Sequence, residues 1–462
     1  MESYADVVVV QGLIKDMEEG KLQSKDYLPV IIGSGLSGMA ISDWLTRDKI
    51  NHILIGAKPN NLPRLGESID PAGTLELLKY YPEYDEFYYR KAWISVFLGT
   101  YATTCDFSQN FNRIVGLKLL GFDSPPEFIH VDRVGFDAAF YDRVTASPYM
   151  QRIEALVNHL QYDEATDRIQ EIHLDNGEVL KPRYVYDCTN HVRLVGKALN
   201  IPLKTISDPQ RVVFDHYHAE GEAPLCDTLD LEWLHATNIL RLYEDLDGIN
   251  GLSWLIPLGS YVSAGISMPR GDNDCPDEEV LDLLAQAYAR RGLNYREYFP
   301  NPTRLMSIPY QQYFFYDRAY GQNWLLAGPS YGQVWFPSAS GVGAAIVAGR
   351  IASRIIDSPQ EVGKLYQDYI IGLQESHFIF DRMIKKHYSE LTPEMVKLEA
   401  NRIVSENVKR VSRLASIESS PLNAAFGRGL IKAVSRDGVG GSSCIVFEEP
   451  LEKQTNMIFS ER

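Results

Sequence analysis

The sequence lacks a positive charge balance, a cysteine framework and any long apolar run. Its formal net charge is -16, and such a field repels phosphate backbones and anionic lipid, so neither nucleic acid nor a membrane surface is expected as a partner. Its five cysteines are Cys105, Cys188, Cys226, Cys275 and Cys444. They are odd in number, scattered and without a CxxC pair, which argues against a disulfide scaffold and for a reducing compartment. The opening stretch MESYADVVVVQGLIKDMEEG has no basic n-region, so no signal peptide is expected. No segment approaches the roughly 18 apolar residues of a spanning helix. A cytoplasmic protein is the expectation, and neither internal repeats nor low-complexity blocks are seen.

What remains is a globular composition, 45% hydrophobic and 23% charged over 462 residues, enough for two to three domain-sized units at about 100–200 residues each. Residues 1–27 read as an extension. Within 28–350, Leu28 to Ile32 and His52 to Ile55 read as buried strands flanking an apolar helix from Ser37 to about Thr46, a βαβ opening. Asp175-Asn176-Gly177 marks a hairpin turn, followed by the strand Tyr184-Val185-Tyr186. Residues 230–270 and 300–320 are strand-like. A helical region is expected over 351–435 (Arg350–Ile356, Val362–Ile384, Thr392–Arg413) and a loosely packed polar tail over 436–462.

Between the first strand and helix lies Gly33-Ser34-Gly35-Leu36-Ser37-Gly38. Glycines allow a tight turn and close approach to a pyrophosphate, and the helix N-terminus offers unpaired N–H groups. An ordinary glycine-rich turn would look the same, but the strand–helix context favours a dinucleotide. The second strand ends Ile55-Gly56-Ala57, with no acid to hold a ribose hydroxyl, which weighs against nicotinamide and leaves FAD.

Further motifs follow in order. Arg64-Leu65-Gly66-Glu67-Ser68-Ile69-Asp70-Pro71 carries a G-E-[AS]-x-x-P pattern, and Lys91 sits in Arg90-Lys91-Ala92-Trp93. Asp132-Arg133-Val134-Gly135-Phe136-Asp137 and Asp187-Cys188-Thr189-Asn190 come next, then Trp254-Leu255-Ile256-Pro257, Trp324-Leu325-Leu326-Ala327-Gly328-Pro329 and Pro337-Ser338-Ala339-Ser340-Gly341-Val342-Gly343. Together, over roughly residues 28–350, they resemble the flavin-dependent halogenases, within the group A monooxygenase-like superfamily. The resemblance implies an α/β fold: a Rossmann-like FAD-binding domain, an antiparallel β-sheet substrate domain like that of p-hydroxybenzoate hydroxylase, and a C-terminal helical region.

It also implies roles. FAD contacts would come from Gly33, Ser34, Gly35, Gly38, Arg64, Gly66, Glu67, Ser68, Arg133, Gly328, Pro337 and Gly343. Halide would sit at Ser340 and Gly341, and substrate beside Trp93, Trp254, Ile256 and Pro257. A separate flavin reductase would supply reduced FAD. With oxygen and halide this would yield a hypohalous acid that travels to the catalytic Lys91, beside a small electron-rich aromatic substrate. On pattern alone Lys91 would read as a lysine snorkelling at a rim. Led by Lys91, an alternating strand would put Trp93, Ser95 and Phe97 on its face, with Arg90 and Lys79 as neighbours that a shifted alignment would choose instead. Self-association is left open.

The chain departs from the family pattern at several places, among them Val334 where the halide-binding segment has phenylalanine. Asn190 replaces a glycine, a change Asn tolerates because it adopts left-handed backbone more readily than most residues. Leu252 stands for the first tryptophan of the W-x-W-x-I-P signature. Pro329 stands where an aspartate holds the ribityl chain, which predicts weakened flavin binding. Ala339 precedes the serine where tryptophan halogenases carry glutamate. Asp215-His216-Tyr217-His218 has two histidines on one strand face but no third ligand, so it reads as structural or surface rather than as a metal site. His377 and His387 read as solvated, and Tyr310 to Tyr316 as packed sheet. Two competing functions remain: an NAD(P)H-dependent FAD monooxygenase or reductase of the same fold, and a non-catalytic flavin-binding protein.

Overall fold

A computed structural model of the chain describes residues 27–91, 93–98, 101–106, 128–205, 207–221, 229, 231–271, 275–333, 341–385 and 443–446. The N-terminal half opens with β1 (Pro29–Ile32), α1 (Leu36–Arg47), β2 (His52–Ile55) and α2 (Pro71–Tyr80), then β3 (Tyr88–Lys91), β4 (Trp93–Leu98), β5 (Tyr101–Asp106), β6 (Phe128–Val131), α3 (Arg133–Thr145) and β7 (Met150–Ile153). A small sheet of β8 (Val157–Asp163), β9 (Arg168–Leu174) and β10 (Val179–Leu180) leads to β11 (Tyr184–Asp187) and β12 (Leu203–Thr205). Next come β13 (Gln210–His218), β14 (Ala236–Leu242), β15 (Gly251–Leu258), β16 (Tyr261–Pro269), α4 (Asp277–Ala289), β17 (Asn301–Pro302), β18 (Met306–Gln311), β19 (Phe314–Tyr316) and β20 (Trp324–Leu326). The chain then turns helical through α5 (Gly341–Arg350), α6 (Ala352–Asp357) and α7 (Pro359–Lys385), before β21 (Ser443–Val446).

Two sheets organise these elements. The first is a parallel sheet in the order β20-β11-β1-β2-β7. Its strands are buried on both faces, hence the uninterrupted apolar runs of β1 and β2. Met39, Ala40, Ile41 and Leu45 of α1 lie fully inside that core. The second sheet has the order β17-β13-β16-β15-β14-β4-β5-β21, with β18 also on β13. Alternation gives it two apolar faces. Leu255, Val213 and Val262 join the layer beneath α4, whereas Phe214, Trp254 and Ile256 form the opposite layer.

The predicted α/β architecture and the hairpin are present, with Gly177 at φ 86 in its turn. No described helix is long and apolar enough to cross a membrane. Two expectations change. Lys91 ends β3, which pairs with β6, and β4 begins at Trp93 in the other sheet, so no single alternating strand carries Lys91, Trp93, Ser95 and Phe97 on one face. Within the tail expected to be loosely packed, Ser443–Val446 pair with β5 as a strand. The rest of that tail, the extension at 1–26 and the helix expected over Thr392–Arg413 lie outside the described residues.

Candidate active site

The turn after β1 is held open by two glycines and exposed to a ligand by a third. Gly33 adopts φ +108, and a Cβ there would stand 2.4 Å from the Cys188 carbonyl oxygen. A Cβ on Gly38 would stand 1.9 Å from the Gly33 oxygen. At Gly35 a Cβ would meet nothing within 4 Å. Gly35, Leu36 and Ser37 line one end of a cleft of about 530 Å³. No side chain caps α1 there, so its N-terminal N–H groups and positive dipole end are available to an anion. Gly33, Ser34 and Gly38 stand behind the lining and shape it. Ser34 Oγ donates to the Ala57 carbonyl, tying the turn to the acid-free end of β2.

The strap 62–68 forms the next wall. Gly66 adopts φ +99, and a Cβ would come within 2.7 Å of an Arg133 nitrogen. Arg133 grips Asp137 with two hydrogen bonds of 2.9 Å and donates to the Leu65 carbonyl at 3.2 Å. Arg64 reaches the same carboxylate at 3.0 Å. Asp132 caps α3 through the N–H groups of Val134 and Gly135, so the D-R-x-x-F-D pattern starts a helix and clamps the strap. Asn190 lines the cleft at φ 56, the left-handed conformation its type allows. Its N–H donates to Ser330 Oγ at 2.8 Å. Pro329 also lines the cleft, offering neither charge nor N–H, next to Gly328 at φ +55. Gly341 lines the cleft at the start of α5, whereas Gly343 packs against Gly73 of α2. Pro337 and Ser340 lie outside the described residues.

The far end lies against the nine-stranded sheet. Phe214, Ile239, Trp254, Ile256, Met306 and Ile308 line it. Trp254 donates to Ser263 Oγ at 3.2 Å. Pro257 is not in the lining; its carbonyl faces His130 at 3.0 Å instead. Trp93 sits on β4 opposite Ala236, and its side chain lies outside the described residues.

Consecutive strap residues turn polar groups to opposite sides. Glu67, 1% exposed, meets His216 Nε2 at 2.7 Å and accepts from Ser263 Oγ at 3.1 Å. Ser68 Oγ accepts from Lys91 Nζ at 2.7 Å and lies 2.8 Å from Thr237 Oγ1. Lys91 also donates to the Ile69 carbonyl at 3.1 Å. It is 2% exposed, so it does not snorkel. Burial pushes its ammonium down to about 7, and the Asp70 carboxylate opposes the shift. Arg90 is exposed, while Lys79 sits by Glu76 and Arg350, where burial lowers it to about 8. Lys91, Arg90 and Lys79 are all outside the cleft lining, but Lys91 is bonded to a lining residue, Ser68.

Sequence reasoning missed His130, Thr237 and Ser263, and treated His216 only as a rejected metal ligand. Each meets its partner across 100 residues or more of chain. The alternation of β13 was the one available signal, since it places His216 on the face of Phe214.

No protein-family model and no curated protein sequence matches the chain. Its fold does match solved structures. A triple mutant of the flavin-dependent brominase Bmp2 aligns at 16% identity and TM-score 0.63 over 89% of this chain and 100% of that one. The halogenase PltM, in complex with phloroglucinol and FAD, aligns at 13% identity and TM-score 0.63 over 94% and 90%. PqsL of Pseudomonas aeruginosa, a probable FAD-dependent monooxygenase, aligns at 17% identity and TM-score 0.54 over 84% and 99%. The chain therefore has the fold shared by flavin-dependent halogenases and FAD-dependent monooxygenases.

Proposed function

We propose that the chain is a flavin-dependent halogenase acting on a small electron-rich aromatic substrate. The observation that carries this reading is Lys91. A lysine with a lowered proton affinity is buried behind Ser68, and Ser68 belongs to the strap lining the cleft.

The residues fit a flavin dinucleotide. An uncapped helix N-terminus with open Gly35 suits the pyrophosphate, and the Arg64 and Arg133 guanidiniums, both held on Asp137, lie along the cleft. When bound, reduced FAD with oxygen supplies the two-electron oxidation of halide to hypohalous acid. The protein's task is then to keep that oxidant from water and lead it to its target. The Lys91 ammonium can orient hypohalous acid by hydrogen bonding. The neutral amine can take the halogen, exchanging an N–H for an N–halogen bond as water leaves. Transfer of the halogen to an aromatic carbon then releases the ring proton and restores the amine. Near pH 7 both protonation states are populated, so either step is accessible. The apolar end at Phe214, Trp254 and Ile256 suits a planar ring.

A separate flavin reductase is part of the proposal, because β2 ends without the acid that would hold a nicotinamide ribose. The experiment supplies reduced FAD, oxygen, a halide salt and a panel of phenols, indoles and pyrroles, with product mass spectrometry. Halogenated product supports the reading. Hydroxylated product, or consumption of nicotinamide by the pure protein, moves the chain to the monooxygenases. Absence of any turnover favours a non-catalytic flavin-binding role.

A further inference from the structure

A continuous line of buried polar atoms joins Lys91 Nζ, Ser68 Oγ, Thr237 Oγ1 and His130 Nε2, with steps of 2.7, 2.8 and 2.9 Å, and its two middle members line the cleft. The far ring nitrogen of His130, Nδ1, lies 3.0 Å from the Pro257 carbonyl. The ends of this line fix the direction of every hydrogen in it. A carbonyl only accepts, so His130 Nδ1 must carry the hydrogen. His130 is fully buried, and desolvation, then the Lys91 charge, and also His235 hold it well below its ordinary range, against the Pro257 bond that raises it. The ring is therefore neutral, and Nε2 is a bare acceptor. Thr237 spends its only hydroxyl hydrogen on Nε2, so its oxygen must accept from Ser68. Ser68 in turn has no hydrogen left for Lys91 and can only accept from it.

We propose that His130 is a positioning residue which, through Thr237 and Ser68, locks the Lys91 amine as a hydrogen-bond donor and keeps its third position open for a reactant. Two amine hydrogens go to Ser68 Oγ and the Ile69 carbonyl. The third position carries either the last ammonium hydrogen or the lone pair of the neutral amine. If Ser68 were free to turn, its hydroxyl would cap that lone pair, blunting the nucleophile and favouring the neutral form. His130 is not a proton sink, because the same burial that keeps it neutral makes its imidazolium unfavourable. The inference rests on Lys91 being the reacting amine, but its test does not require halogenation.

Lys91 ionisation is read by brief acetic anhydride labelling across a pH series, with peptide mass spectrometry. Asp70 and His130 are the titratable groups that act on Lys91 among the described residues, beside its hydrogen bonds to Ser68 and the Ile69 carbonyl. Thr237→Val keeps the β-branched shape and removes the hydroxyl; the labelling midpoint should fall by about one pH unit, the scale of the one hydrogen bond that the freed Ser68 hydroxyl then donates to the neutral amine. Thr237→Ser should restore the wild-type midpoint, and His130→Phe should reproduce the Val shift. An unchanged or raised midpoint in Thr237→Val and His130→Phe overturns the proposal. So does an equal shift in Thr237→Ser, which would indicate a packing effect, or a wild-type Lys91 that resists labelling at every pH, which would mean its third position is closed. Absence of halogenation with the predicted shifts intact would sink the functional reading alone.

Discussion

The two ends of the cleft are built by different means. At the end proposed for the dinucleotide the work is done by backbone: Gly33, Gly66, Gly328 and Asn190 all take positive φ, and the helix terminus of α1 faces the cleft with no side chain capping it. At the sheet end it is done by side chains that meet across the fold, Glu67 with His216 and Ser263, and Lys91 with Ser68, Thr237 and His130. A turn made of backbone tolerates few residue types but recognises a generic group, a phosphate. A buried network tolerates changes in its neighbours poorly, because each unpaired polar atom costs desolvation, yet it can tune one amine. Substitutions at the sheet end should therefore change chemistry, and those at the dinucleotide end should change binding.

The largest expected effect tests the sheet end. Lys91→Ala should lower halogenated product by about 10²-fold or more, the usual scale for a positioned acid or base, while flavin oxidation by oxygen continues and a free-halogen trap still responds. Lys91→Met keeps the volume and loses the charge, which separates packing from chemistry. Near-normal product from both variants would place the reacting group elsewhere.

The same division explains what could be read in the sequence. The turn and strap motifs are short and local, so Gly33 to Gly38 were visible together with the steric reasons for them, and Gly66 to Ser68 and Arg133 through the resemblance. Asn190 was legible because a left-handed residue has few candidates. His130 and Thr237 were not legible: they lie in apolar strands, and their partners are fixed by the packing of β6 and β14 against the strap. Lys91 itself was found through the resemblance, but its strand was misjudged. Periodicity runs on across residue 92, whereas the chain passes there from the β3–β6 pair to the nine-stranded sheet.

Next in size is the other side of the strap. Glu67→Ala removes the acceptor that meets His216 and Ser263 and should cost about 1–3 kcal/mol of stability, the scale of buried polar groups left unsatisfied, read as a lowered chemical denaturation midpoint. Glu67→Gln keeps a carbonyl oxygen in place and should recover most of the loss. Equal losses in the two variants would mean that the charge itself matters at this position. At the dinucleotide end, Gly38→Ala should destabilise the turn by roughly 1–3 kcal/mol through overpacking. Gly35→Ala, with open space at its Cβ, should fold normally and weaken only FAD binding, as measured by calorimetric titration. If Gly35→Ala binds FAD as well as the wild type does, the cofactor does not approach that turn. A smaller gain is expected from Pro329→Asp: the wild type should purify largely without FAD, and the added carboxylate should tighten binding about tenfold, the worth of one charged hydrogen bond. Stoichiometric FAD surviving dialysis of the wild type contradicts this.

The last test of the sheet end is a pH slope, worth about 1.4 kcal/mol per pH unit for one proton. Folding lowers the Lys91 ammonium from 10.5 to about 7. Between those values the unfolded chain holds a proton that the folded chain has released. Unfolding stability rises with pH wherever the unfolded state binds more protons. The Lys91 contribution therefore weakens the fold at and below about pH 7, and that penalty is relieved steadily as pH climbs toward 10.5. Lys91→Met has no proton to lose in either state, so relative to it the wild type should gain stability over this window with the slope of about one proton. Denaturant midpoints taken at several pH values for the two proteins give the difference directly, and titrations elsewhere in the chain cancel. A flat difference would mean that the ammonium is as well solvated in the fold as outside it. The sheet end would then lose the property that sets it apart from the dinucleotide end, a single amine detuned by burial.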